Sequence, residues 1–105
     1  MKATAIAPSN IALVKYWGRR DDALVLPQNS NFSMTFGPTQ TNPAGVHTTT
    51  TIEFSRGYAK DVVAIDGSQA APDAYARTVK HIDIVRKMAS VDLPFRMESR
   101  NNFPY

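Results

Sequence analysis

Three observations in the sequence predict an α+β chain of mostly antiparallel strands with one helix. Short apolar or alternating runs recur between turn residues over most of its length. Asp66-Gly67, a dipeptide suited to closing hairpins, directly follows one of these runs. Only the stretch from Pro72 to Ala89 carries a sustained helical spacing.

The elements follow in order. Lys2 to Ala7 alternates and stops at Pro8, which predicts a short edge strand, because proline has no N–H to donate to a ladder. Ile11 to Val14 is a compact apolar run that predicts a buried strand, leading to Lys15-Tyr16-Trp17-Gly18-Arg19-Arg20 and an Asp21-Asp22 turn. Leu24 to Leu26 predicts a short strand ended by Pro27, and Phe32, Met34 and Phe36 alternate with Ser33 and Thr35 in the next. Gly37 to Gly45 is a loop, and the β-branched Thr48 to Phe54 and the apolar Val62 to Ile65 are strands. Pro72 suits a first helical turn and Asp73 the helix dipole; Tyr75, Val79, Ile82, Val85 and Ala89 then form an apolar stripe. Phe95 to Ser99 predicts a half-buried strand, with Phe95 and Met97 on one face and Arg96 and Glu98 on the other.

With 43% hydrophobic and 20% charged residues in 105, the chain falls in the ordinary globular class. A chain of this size buries roughly 65% of its unfolded surface, which leaves little margin. The absence of cysteine excludes disulfides and Cys-ligated zinc and agrees with a reducing compartment. No apolar run suggests a signal peptide or a membrane span, so the expectation is a cytoplasmic protein with no membrane partner. The net charge of +3 is interspersed, and nucleic-acid binding is not expected from one short basic run. His47 and His81 lie far apart without companions, so no metal site is expected. The five glycines nowhere form a phosphate-cradling loop, and no Ser-His-Asp arrangement is legible.

The densest constellation runs from Asn10 to Asp21, where an apolar strand delivers two aromatics and three cations to one turn. Lysine offers a mobile point charge, arginine a planar fork for two oxygens, and tyrosine a hydroxyl on a stiff ring, a set that suits a phosphate. The plainer alternative makes Tyr16 and Trp17 packing residues and the cations a solvated turn.

The run NIALVKYWGRRD, with Ala7-Pro8 before it, resembles the APxNIAxxKYWGKRD signature of mevalonate diphosphate decarboxylases. Leu26 to Thr35 resembles their LPxNSSLSVTL segment, and Glu98 to Pro104 resembles the strand and turn that open their nucleotide loop. The resemblance implies the galactokinase, homoserine kinase, mevalonate kinase and phosphomevalonate kinase superfamily, and within it part of a ribosomal-protein-S5 domain 2-like domain. It implies ATP and Mg2+ as cofactors and a mevalonate phosphate as substrate: the 3-hydroxyl is phosphorylated and decarboxylation then gives isopentenyl diphosphate.

Position by position, the resemblance makes Lys15 and Tyr16 substrate contacts, Asn10 a residue that orients substrate, and Trp17 a pocket wall. Arg19 stands where the family usually has Lys, a departure that leaves the identity of the phosphate tail open. Ser99 and Asn101 match the rim of the nucleotide site, with ordinary strand-end and turn chemistry as the alternative, and Tyr105 departs from the usual Thr. Residues 1–105 are therefore expected to be an incomplete N-terminal domain ending before the nucleotide loop, with no catalytic residue and no activity alone. Its expected partner is the rest of the same enzyme, as a separate or missing chain, and the intact enzyme is expected to be a homodimer. Phe32, Met34, Phe36, Phe95, Met97 and Phe103 are expected to remain as an exposed apolar patch or strand edge. Phosphomevalonate decarboxylase and mevalonate 3-kinase are the alternatives within the family. A non-catalytic module that binds polyanions through Lys15 to Arg20 is the alternative outside it.

Overall fold

The computed structural model describes residues 1–14 and 18–104; Lys15, Tyr16, Trp17 and Tyr105 lie outside the described residues. In chain order the elements are β1 (Lys2–Pro8), β2 (Asn10–Val14), β3 (Arg19–Asp21), β4 (Leu26–Pro27), β5 (Phe32–Thr35), β6 (His47–Phe54), β7 (Val62–Ile65), β8 (Ser68–Gln69), α1 (Pro72–Ala89) and β9 (Phe95–Asn101). They form two compact units, one of Met1–Ala7 with Thr48–Tyr105 and the other of Pro8–His47.

The first unit is a sheet in the order β1-β6-β9-β7-β8 with α1. Asp66 and Gly67 both take positive φ, 50° and 83°, the left-handed pair that a two-residue hairpin turn needs, and so join β7 to β8. Pairing is antiparallel between β6 and β9 but parallel between β7 and β9, because α1 carries the chain back before β9 begins. The helix has the bounds its spacing predicted, with Pro72 in the first turn and Ser90 in left-handed geometry at its end, where the Ser90 N–H donates to Arg86 and Lys87 carbonyls.

The β6–β9 register places Phe54 opposite Phe95, Ile52 opposite Met97, Thr50 opposite Ser99 and Thr48 opposite Asn101. One sheet face therefore grades from aromatic to hydroxyl and amide along the strands. Phe95 and Val63 are fully buried at the apolar end, with the Phe54 and Phe95 rings tilted 56° at 6.0 Å between centroids. Phe95 thus does not join the exposed patch expected of it; Met97 and Phe103 are half-buried. The apolar stripe of α1 is also narrower than its spacing suggested. Tyr75, Val79 and Ile82 are half-buried, but Val85 and Ala89 are exposed, and Arg86 takes the inward position one turn beyond Ile82.

Arg86 is held by ligands the helical pattern alone does not show. Its Nη2 and Nη1 donate to the two Asp61 carboxylate oxygens at 2.9 and 3.0 Å, and Nη1 also donates to the Leu93 carbonyl at 3.0 Å. Its Nε donates to Asp83 at 3.1 Å, and its guanidinium carbon lies 5.2 Å from the centroid of the Phe95 ring. Asp61 in turn accepts the Phe95 N–H at 3.1 Å, so one carboxylate ties the helix to the start of β9. Hydrogen bonds to Asp61 first, and Asp83 second, hold the guanidinium far above the usual arginine range.

The second unit consists of two antiparallel ribbons, β2 with β5 and β3 with β4. The expectation of a buried strand at Ile11 to Val14 is not met: Ile11, Leu13 and Val14 are 48%, 58% and 53% exposed, because among the described residues β2 has only β5 as a ladder partner. Phe32 and Met34 on β5 are similarly exposed at 58% and 53%, as the patch reading expected, and Phe36 beyond it at 46%. Leu24 and Val25 are not strand either. The Asp21 carboxylate accepts the Leu24 N–H at 2.9 Å and Val25 takes φ 58°, so this stretch is a turn and the strand starts at Leu26 and includes Pro27.

Candidate functional site

Two groups of predicted site residues fall in separate units. In the Pro8–His47 unit, Asn10 opens β2 and Arg19 opens β3; both are exposed. Lys15, Tyr16 and Trp17 occupy the sequence between these strands and lie outside the described residues. Asn10 Nδ2 donates to Ser33 Oγ on the facing strand at 3.2 Å, a contact made possible because β2 and β5 set Asn10 opposite Thr35 and Ala12 opposite Ser33. Arg19 lies opposite Pro27 in the β3–β4 ribbon, and the Gln28 N–H donates to the Gly18 carbonyl at 3.0 Å, which closes the ribbon behind the cation. Arg19 and Arg20 bring two fixed charges to this turn, with Asp21 turned into its own loop at Leu24. The arrangement offers a flexible anion strong, solvent-accessible donors.

In the other unit, Ser99 and Asn101 sit on β9 at the polar end of the graded face. Ser99 Oγ is 2.9 Å from Thr50 Oγ, and Asn101 Oδ1 accepts the Thr48 hydroxyl at 2.5 Å. Asp66 accepts twice from Asn101, from its backbone N–H at 2.7 Å and from Nδ2 at 3.2 Å. A shallow pocket beside them is lined by Asp66, Arg100, Asn101, Phe103 and Pro104, a mixture of hydrogen-bonding groups and one ring that suits a heterocycle. The opposite face of β9 is charged: Arg100 donates to Glu98 at 2.5 Å, and that hydrogen bond, reinforced by the charge of Arg100, holds the Glu98 carboxyl below its usual range.

Sequence reasoning did not assign Ser33, Thr48 or Asp66 a part in either group. Asp66 was legible only as half of a turn dipeptide and Thr48 only as one of a β-branched run. Ser33 was legible only as a polar residue alternating with Phe32 and Met34. Among the described residues no group of three or more His, Cys, Asp or Glu is placed to hold a metal ion. His81 is exposed on α1, and His47 Nδ1 lies 3.1 Å from the Ala44 carbonyl.

Residues 7–105 match the family model of the diphosphomevalonate decarboxylase-like N-terminal domain. The chain belongs to this family. It is 32% identical to the diphosphomevalonate decarboxylase of Rattus norvegicus over 99% of its own length and 28% of the relative's. It is 36% identical to the phosphomevalonate decarboxylase of Haloferax volcanii over 99% of its length and 30% of the relative's. Among solved structures, one describing mevalonate diphosphate mediated ATP binding by the mevalonate diphosphate decarboxylase of Enterococcus faecalis is similar with a TM-score of 0.85 and 30% identity, covering 98% of this chain and 30% of that one. The chain thus spans under a third of the length of these decarboxylases, and its α+β arrangement is that of their N-terminal part.

Proposed function

We propose that this chain is the substrate-phosphate-binding N-terminal part of an ATP-dependent mevalonate diphosphate decarboxylase, acting in the cytoplasm within a homodimeric enzyme and inactive alone. The observation that carries the reading is the run from Asn10 to Arg20, inside a family match that extends over residues 7–105. In this reading Lys15, Tyr16 and Arg19 bind the phosphate tail, Trp17 walls it, and Asn10, steadied by Ser33, orients the substrate. The cations offset the tail's charge, and binding the tail turns binding energy into orientation of the 3-hydroxyl. In this reading Ser99 and Asn101 rim a nucleotide site, and the pocket that Asn101 lines with Asp66, Arg100, Phe103 and Pro104 has polar groups and a ring that fit a purine. MgATP supplies the phosphoryl group that turns the 3-hydroxyl into a leaving group, so that phosphate departs as carbon dioxide is lost. The catalytic groups of this reaction belong to parts of the enzyme beyond these residues.

Arg19, where the family usually has lysine, together with the identity to the Haloferax phosphomevalonate decarboxylase, favours a second reading in which the substrate carries one phosphate rather than two. The test assays the complete enzyme with mevalonate diphosphate and with each monophosphate, measuring ATP-dependent release of phosphate and carbon dioxide. Turnover of the diphosphate supports the first reading, and turnover of a monophosphate with carbon dioxide release supports the second. Phosphorylation without carbon dioxide identifies a kinase. Lys15→Ala is expected to raise the substrate KM about 10- to 100-fold, as when a bound phosphate oxygen loses its cation; unchanged kinetics removes Lys15 from the site.

A further inference from the structure

The turn between β7 and β8 does more than reverse the chain. The Asp66 N–H donates to the Ser99 carbonyl at 2.8 Å, and its carboxylate accepts the Asn101 N–H at 2.7 Å, so Asp66 continues the parallel β7–β9 pairing past the end of β7 by side chain. On the other edge Thr48 donates to Asn101 Oδ1. A carboxylate only accepts, so the Asn101 amide must turn Nδ2 to Asp66 and Oδ1 to Thr48. Beyond these bonds the amide keeps one N–H and one lone pair, and the direction in which each is offered follows from the Asp66 contact. Left to itself, an asparagine amide at a strand end samples both orientations and loses that entropy when it meets a ligand.

We propose that Asp66 is a positioning residue for the nucleotide rim: by fixing the Asn101 amide in one orientation it sets nucleotide affinity without itself approaching the reacting atoms. The inference rests on the decarboxylase reading above. Phe103 and Pro104, which follow Asn101 around the same pocket, depend on the same anchor, because Asp66 holds the last backbone N–H of β9 before that turn.

The test is Asp66→Asn in the complete enzyme. Asparagine tolerates the positive φ at this position and, followed by Gly67, retains the hairpin turn. One amide oxygen still accepts the Asn101 N–H, but an NH2 now faces Asn101 Nδ2, and two donors cannot pair, so the Asn101 amide flips. The KM for ATP is expected to rise about tenfold, the effect of one misdirected hydrogen bond, while the KM for the mevalonate phosphate and kcat at saturating ATP stay unchanged. Thr48→Val removes the bond to Oδ1 but leaves Asp66 to hold Nδ2, so it is expected to leave the KM for ATP near that of the wild type; a rise of about tenfold would show that Asp66 does not set the orientation, which keeps the idea testable should Asp66→Asn fail to fold. An active enzyme whose ATP KM ignores Asp66→Asn overturns the positioning role alone. An equal rise of both KM values with a lowered melting temperature also overturns it, since that marks a brace of the fold. A wild-type enzyme that turns over no mevalonate phosphate with ATP overturns the decarboxylase reading and this inference with it.

Discussion

Replacing Asp61 with Ala removes a contact that ties α1 to the start of β9. The carboxylate accepts two guanidinium N–H groups of Arg86, at 2.9 and 3.0 Å, and the backbone N–H of Phe95 at 3.1 Å. Its removal leaves Arg86, with only 16% of its side chain exposed, beside Asp83 and the Leu93 carbonyl but without its bidentate partner, and leaves the Phe95 N–H without its acceptor. Breaking a fully buried pair costs about 3–5 kcal/mol and losing a hydrogen bond to a charged group about 1.5–3 kcal/mol, and this pair is half-buried. The remaining Asp83 contact and the residual exposure favour the low end, about 3 kcal/mol. For a unit of this size that lowers Tm by roughly 12–24 °C. Arg86→Lys, which keeps the charge but loses the fork, is expected to forfeit more than half of this.

The measurement is thermal unfolding followed by circular dichroism, with urea midpoints as a second probe. The guanidinium is held above its ordinary range, so its contribution is fully present below that range and is lost only as pH rises past it. Between about pH 6 and 9 the Asp61→Ala loss should therefore not vary through Arg86. A Tm drop under about 5 °C would place the pair among ordinary surface salt bridges and refute the argument.

Two further outcomes follow from the same geometry. Gly67→Val places a β-branched residue at φ 83°, so it should destabilise the hairpin by about 1–2 kcal/mol, seen as a lower urea midpoint, whereas Gly67→Asn should cost much less. Phe32→Ser with Met34→Ser, on side chains 58% and 53% exposed, should reduce self-association of residues 1–105 in analytical ultracentrifugation without lowering Tm; unchanged association would show that this ribbon is not the sticky surface.

Local pattern determined a large share of this protein. Pro72 to Ala89 is helical because its proline start, acidic first turn and spacing act within a few residues, and Asp66-Gly67 closes a hairpin because its two residues tolerate positive φ. The family signature from Asn10 to Asp21 is likewise a contiguous string, legible without coordinates. What pattern missed depends on partners distant in sequence. Ile11 to Val14 looks like core in any window, yet whether an apolar strand is buried depends on what packs against it, and among the described residues β2 has only β5 as a ladder partner. Arg86 breaks the apolar stripe on paper and sits inward in space because Asp61, 25 residues earlier, meets its fork. Asp66 is a turn residue in the chain and the anchor of Asn101, 35 residues later, in the sheet. Helical period and turn chemistry are short-range and can be read along the sequence; hydrogen-bond partners across a sheet exist only once strand register has been set, and only the tertiary structure sets it.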